Sequence, residues 1–224
     1  MLYIIGTPIG NIKDITLRGL DVLKSVDLIL CEDTRETSKL LNYYNIKKPL
    51  LSYYKEIEKK RVKKVIELLK EGKEIALVCD RGTPGISDPA YLLVNEAYRN
   101  NIKVVPIPGP SALTAAMSIS GFPLKKVYFL GFLPKKEIEK RKIFERFKEG
   151  EEAVIFFESV HRIDKTINLL AEIMPEKEIC ICRELTKMFE EILRGKIKDI
   201  NEVFKKHKKK GEFVLIINGG ENGF

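Results

Sequence analysis

The sequence predicts an α/β protein in two domains, and three observations carry that prediction. Short apolar runs alternate with segments whose apolar residues recur at helical spacing. Three proline- and glycine-rich loops each follow such a run and open into a helix-like pattern: GTPIGN (Gly6–Asn11), DRGTPGISDP (Asp80–Pro89) and PIPGPSA (Pro106–Ala112). After Gly121-Phe122-Pro123 the texture changes to closely spaced strand-like runs. This divides the chain into an N-terminal α/β domain, 1–121, and a C-terminal mixed-sheet α/β domain, 122–224.

The first half reads as strand and helix in turn. Leu2–Ile5 is a predicted strand, and Thr16 an N-cap for a helix over Leu17–Ser25, where Leu17, Leu20, Val22 and Leu23 keep helical spacing. Asp27–Cys31 is a short apolar run before a helix-like stretch, Thr34–Tyr44. The clearest helix is Glu56–Glu71, with Val62, Val65, Ile66, Leu68 and Leu69 as one apolar stripe among lysines and glutamates. A strand is expected at Glu74–Cys79. Asp88-Pro89 then reads as an N-cap followed by proline at the first helical position, opening a helix to about Asn100. Lys103–Pro106 is the next strand, and Ser111 caps a small-residue helix, Ala112–Ile119.

In the second half, strands are expected at Val127–Leu130, Ala153–Glu158, Ile179–Arg183, Phe189–Arg194 and Phe213–Ile217. Helices are expected at Ile138–Lys148, Arg162–Ile173 and Ile200–Lys208. The run at Phe189 follows the preceding strand too closely for an intervening helix, so a hairpin and a mixed sheet are predicted.

Bulk properties bound the function. The 224 residues can bury a sizeable core, and 44% hydrophobic with 32% charged residues is ordinary for a globular protein. The net charge of +8 favours an anionic partner, of which nucleic acid is the commonest; a lysine-rich surface kept for solubility is the alternative. No apolar run approaches the length of a membrane helix, and the start lacks the basic region and cleavage site of a secretory signal. A cytoplasmic location, with no membrane partner, is expected. Cys31, Cys79, Cys180 and Cys182 all lie in or beside apolar runs, and Cys180-x-Cys182 is too tight for a usual zinc pair, so all four read as reduced packing thiols and no metal site is expected.

Loops at the carboxyl ends of strands line the crevice where α/β sheets bind ligands. The string G-x-x-x-x-G-K-[ST] of a phosphate cradle does not occur, and Gly6-x-x-x-Gly10 with Pro8 between is not a dinucleotide fingerprint. The loops suit a flatter ligand with cationic and carboxylate character. The helix start at Ser111 can receive a carboxylate, and Asp80 or Asp88 can face a cationic centre. S-adenosylmethionine is one of several molecules with both features.

Charged strings stand at the same strand ends. In CEDTR (Cys31–Arg35), Asp33 reads as an N-cap, with Glu32 favouring the helix dipole. ESVHR (Glu158–Arg162) holds one of only two histidines; the other, His207, belongs to the basic run Lys205–Lys210. RELTK (Arg183–Lys187) places charges at another strand end, where an ion pair is the simplest reading.

Together, GTPIGNIKDIT, CEDTR, RGTPGISDPA, PIPGPSA, GFLP (Gly131–Pro134), ES-HR, RELTK and KGEFVLII, in this order from Leu2 to about Ile217, resemble the ribosomal RNA small subunit methyltransferase I family, a branch of the tetrapyrrole-methylase-like superfamily. The resemblance implies a class III S-adenosylmethionine-dependent fold of two α/β domains with the cofactor in the inter-domain cleft, and a homodimer. It also implies 2′-O-methylation of the ribose of a decoding-centre cytidine in 16S ribosomal RNA, with the small ribosomal subunit as the expected substrate. By position, Ile9 and Gly10 of the first loop, Asp80, Gly82, Thr83, Pro84 and Ile86 of the second, and Ser111 and Ala112 of the third would bind the cofactor, with Phe157 and Glu158 approaching its adenosine side. A weakly nucleophilic ribose hydroxyl benefits from a base or an orienting group, for which Asp33, Arg35, Asp88 and Glu184 are the candidates. A small-molecule (tetrapyrrole) methyltransferase of the same fold and a non-catalytic RNA-binding module are the competing readings. The family commonly has alanine where Arg81 stands and proline where Val160 stands, and many relatives continue beyond the position of Phe224. Arg81 is expected to point away, to pair with Asp33 or Asp88, or to face RNA.

Overall fold

The computed structural model describes residues 1–205 and 210–220. The chain divides into two compact units, 1–111 and 112–224. The division falls ten residues before the expected boundary.

The first unit is a doubly wound parallel sheet. Its strands are β1 (Leu2–Ile5), β2 (Leu28–Cys31), β3 (Leu50–Ser52), β4 (Ile75–Leu77) and β5 (Val104–Ile107), in the spatial order β3-β2-β4-β1-β5, all parallel. The helices between them are α1 (Leu17–Ser25), α2 (Thr34–Tyr43), α3 (Glu58–Lys70) and α4 (Tyr91–Arg99). Both faces of the sheet are covered, which is why its strands are continuously apolar rather than alternating. Leu2, Leu30, Ile75 and Leu77 face α3 and α4, while Ile5, Ile29, Cys31 and Ala76 face α1 and α2. Thr16 caps α1 by accepting the Gly19 N–H at 3.0 Å, and Asp33 caps α2 by accepting the Arg35 N–H at 2.8 Å, both as expected.

Three expectations in this unit need correcting. The edge strand β3 had no counterpart, since three residues leave no period to detect. Next, β4 ends at Leu77, because beyond it the chain turns into the second loop. Finally, α4 begins at Tyr91, with Ala90 as its N-cap and no side-chain cap bond. Asp88 does not cap it; its carboxyl lies near the buried Cys79 thiol, which donates to the Arg81 carbonyl at 3.4 Å.

The second unit opens with α5 (Ala112–Ile119). Its strands β6 (Val127–Phe132), β7 (Ala153–Ser159), β8 (Glu178–Arg183), β9 (Glu191–Lys196) and β10 (Glu212–Ile217) form a mixed sheet in the order β6-β7-β10-β8-β9. Only β6 and β7 are parallel; β8 and β9 are the expected hairpin. The helices α6 (Glu137–Phe147), α7 (Ile163–Ile173) and α8 (Ile197–Phe204) build the core on one face, around Phe144, Phe156, Leu170, Ile181 and Leu215, and α5 lies against β10. That packing explains why α5 belongs with this unit rather than the first. The start of β9 shifts from Phe189 to Glu191, because Glu184 and Thr186 adopt left-handed backbone angles and lengthen the hairpin loop. The start of α8 moves forward to Ile197. Most of the basic run, including His207, lies outside the described residues.

All four cysteines are free and buried, with the Cys180 and Cys182 sulfurs 3.8 Å apart on one face of β8. Among the described residues, no helix is long and apolar enough to cross a membrane.

Candidate functional site

The sheet order brings the three loops together. β4, β1 and β5 are adjacent, so the loops that leave their carboxyl ends start side by side, at about 4.8 Å spacing between strands. Their backbones are joined directly. Thr7 N–H donates to the Gly82 carbonyl at 2.8 Å, and Gly82 N–H returns a bond to the Thr7 carbonyl at 3.0 Å. The buried Thr7 hydroxyl donates to the Cys79 carbonyl at 2.9 Å. The Thr83 hydroxyl donates to the Pro110 carbonyl at 3.2 Å, tying the second loop to the third. The first and third loops meet at glycines: a Cβ on Gly109 would lie 2.6 Å from the Gly6 carbonyl oxygen. Gly82, at φ +86°, uses a backbone region that other residues rarely adopt.

Of the predicted cofactor residues, Ile9, Gly10, Asp80, Gly82, Thr83, Pro84, Ile86 and Ser111 therefore belong to one continuous platform or lead directly from it. Ile9 and Pro84 are buried beneath it, while Gly10 and Ile86 are exposed. Ala112 begins α5.

A fourth strand end completes this edge. β2 neighbours β4, so the CEDTR string meets the second loop. Asp33 N–H donates to Asp80 Oδ1 at 3.0 Å, and the Glu32 carboxylate accepts a backbone bond from Asp80. Burial, followed by the charges of Asp88 and Asp80, pushes Glu32 up to about 7. Burial raises Asp80 and Asp88 as well. Asp33 moves the other way. Arg35 grips it through Nε at 3.0 and 3.2 Å and through NH2 at 2.6 Å, which pulls its carboxyl down to about 2. The positive charge of Arg81 near Asp80 opposes the rise of the Asp80 carboxyl only in small part. Residue type and spacing pointed to Asp33 and Asp88 as candidates, but nothing in the sequence marked Glu32, whose character comes from the neighbours that β4 brings to it.

The second-unit candidates have different surroundings. Phe157 and Glu158 are consecutive on β7, so their side chains leave opposite faces of the sheet. Phe157 stacks edge-on with Phe129 and Phe132, at centroid distances of 5.1 and 5.5 Å. Glu158 turns into the core, 1% exposed. Its Oε2 meets Lys140 Nζ at 2.9 Å and the Thr166 hydroxyl at 2.8 Å, and its Oε1 meets Arg162 NH2 at 2.7 Å and the Ser159 N–H at 2.9 Å. Four donors fill its lone pairs, so the Glu158 carboxylate is fully engaged within this unit. Glu184 is likewise engaged: its Oε1 accepts from Lys187 Nζ at 2.7 Å and from the Glu212 N–H at 2.9 Å, while Arg183 pairs with Glu191 at 2.8 Å. The RELTK charges thus brace the base of the hairpin loop, the simplest of the sequence readings.

Glu32, Asp80 and Asp88 stand together beside the platform, and in their ionised forms they would favour a cationic centre such as a sulfonium.

Comparisons with known proteins agree with this arrangement. A family model described as tetrapyrrole (corrin/porphyrin) methylases matches residues 1–201. The chain is 48% identical over 220 residues to "Ribosomal RNA small subunit methyltransferase I" of Thermotoga maritima, covering 98% of this chain and 99% of that one. The protein of the same name from Bacillus subtilis is 43% identical over 222 residues, covering 99% of this chain and 76% of the relative. Among solved structures, a uroporphyrin-III-C-methyltransferase from Thermus thermophilus superimposes with a TM-score of 0.67 at 16% identity, over 97% of this chain and 94% of that chain; at that identity the likeness speaks for the two-domain α/β fold alone. The chain belongs to the ribosomal RNA small subunit methyltransferase I family, within the tetrapyrrole methylases.

Proposed function

We propose that this protein transfers a methyl group from S-adenosylmethionine to the ribose 2′-hydroxyl of a decoding-region cytidine in 16S ribosomal RNA. The observation that carries the proposal is the stitched three-loop platform at the ends of β4, β1 and β5, beside an acidic and arginine-bearing strand end. The names of its relatives supply the RNA, and the family resemblance supplies the hydroxyl and the nucleotide.

When bound, S-adenosylmethionine supplies an electrophilic methyl group on a sulfonium. Ile9, Gly10, Asp80, Gly82, Thr83, Pro84, Ile86, Ser111 and Ala112 would hold it, and the loop-to-loop bonds keep their backbone fixed before binding, so alignment costs little. Asp33 stays ionised at any physiological pH and is too weak a base to accept a proton; its role is to hold Arg35, which orients substrate phosphate. Asp88, raised by burial, is the stronger base and serves the hydroxyl. Glu184 braces its own loop. The reading carries with it a cytoplasmic homodimer acting on the small ribosomal subunit.

Two measurements test it. Calorimetry is expected to give saturable S-adenosylmethionine binding; no binding at millimolar cofactor would overturn the enzyme reading. Tritiated cofactor with small ribosomal subunits is expected to label one ribose, and label confined to a tetrapyrrole would overturn the substrate. Sedimentation of the purified chain tests the dimer.

A further inference from the structure

We propose that the first two turns of α3 are a docking surface for the phosphate backbone of the RNA substrate, through Lys59, Lys60, Lys63 and Lys64. The inference rests on the RNA reading above. Residues 59 and 63, and 60 and 64, are spaced four apart, so the four ammonium groups form one stripe on a single helix face. All four are exposed, on the face opposite Val65, Ile66 and Leu69, which pack into the core.

The four α3 lysines stand together without carboxylate partners. Several other lysines do meet carboxylates: Lys39 with Glu36, Lys73 with Asp27, Lys187 with Glu184 and Glu212, Lys196 and Lys198 with Glu176. Among the described residues, none of the four α3 lysines forms an ion pair. Arg61, between them, forms none either, and its NH1 is enclosed without a hydrogen-bond partner. The one acidic residue of these turns, Glu58, is buried and bonded to the Tyr53 hydroxyl at 3.2 Å.

The placement opposes stability. Cations at a helix N-terminus face the positive end of the macrodipole, and lysines four apart repel one another. The other end of α3, where a cation would suit the macrodipole, carries the single Lys70 between Glu67 and Glu71. The topology supplies a reason for this end. α3 follows β3 in a parallel sheet, so its first turns lie toward the carboxyl edge, the same edge that carries the platform, CEDTR and Arg35. A polyanion lying along that edge would find the stripe and the site on one side of the unit. Phosphates at regular spacing match a row of point charges.

The test replaces all four residues (Lys59→Gln, Lys60→Gln, Lys63→Gln, Lys64→Gln) in the full chain and measures binding to 16S ribosomal RNA and to small ribosomal subunits across a salt series. The slope of log affinity against log salt is expected to fall by about 3, at about 0.7–0.9 for each phosphate no longer neutralised, and affinity near physiological salt by tenfold or more. S-adenosylmethionine affinity and turnover at saturating RNA are expected to hold, with a melting temperature equal to or above that of the parent. A control variant with Lys196→Gln and Lys198→Gln is expected to keep the parent slope. An unchanged slope and RNA affinity in the fourfold variant overturns the docking surface while parent turnover leaves the methyltransferase reading intact. Absence of RNA methylation by the parent overturns that reading instead. If the stripe governs binding to vesicles of anionic lipid but not to RNA, the partner is wrong.

Discussion

Gly6 and Gly109 touch backbone to backbone: a side-chain carbon on Gly109 would come 2.6 Å from the Gly6 carbonyl oxygen, and one on Gly6 would come 2.9 Å from the Gly109 Cα. Both obstacles are main chain, which has no rotamer to retreat into. Gly109→Ala is therefore expected to force the first and third loops apart, costing about 1–3 kcal/mol as an overpacked contact and weakening S-adenosylmethionine binding more than it lowers the melting temperature. Calorimetry beside thermal unfolding checks this. Undiminished cofactor affinity in the alanine variant would show that the meeting of these loops does not shape the site.

Removing the Glu158 side chain is expected to be far more damaging to the fold than to any ligand contact. Lys140 is buried with it, so Glu158→Ala strands an ammonium in the core and costs about 3–5 kcal/mol. Urea titration of parent and variant measures the difference. A loss under about 1 kcal/mol would contradict the burial of the pair.

The Asp33–Arg35 clasp leads to a kinetic prediction. Arg35→Ala is expected to lower turnover by at least tenfold while leaving S-adenosylmethionine affinity nearly unchanged, because Arg35 is fully exposed and holds no part of the three-loop platform. Asp88→Asn is expected to lower turnover at least as much through loss of the base, with the residual rate no longer rising with pH. Single-turnover assays with bound cofactor separate binding from chemistry. Parent-like rates would remove that residue from the reaction.

Glu32 makes stability depend on pH, with a defined sign. Its carboxyl is raised from 4.5 to about 7 in the folded chain, so between those values the folded state keeps a proton that the unfolded state has released. Stability is then full below about pH 4.5 and falls as pH rises through about 7. Glu32→Gln is expected to remove this slope and to raise stability at about pH 8 by about 1–2 kcal/mol, allowing for its partial exposure. Asp80 and Asp88 shift in the same direction, so the comparison of parent with variant isolates Glu32. Parallel curves for the two proteins would refute the assignment.

The sequence by itself determined the local structure and the family. The sequence placed all eight α-helices of the described residues to within a few positions, most clearly α1 and α3, because an amphipathic helix records its buried face every third or fourth residue. Thr16 and Asp33 declared themselves as caps because capping depends on the next three residues only. The loops were legible as ligand-facing from proline and glycine after apolar runs. What remained hidden depended on which strands are neighbours. That β2, β4, β1 and β5 stand side by side follows from crossovers over distant segments, and only this order gives Glu32 the neighbours that raise it and joins Gly6 to Gly109. The inward turn of Glu158 was equally unreadable, since its partners Lys140 and Thr166 come from two different helices. The lysine pattern in α3 was visible as letters, yet only the folded chain revealed that these lysines lack carboxylate partners and start from the carboxyl edge of the sheet. Local chemistry is written in adjacent residues; charge environment and backbone contact arise from residues far apart in the chain, and the tertiary fold alone brings them within reach.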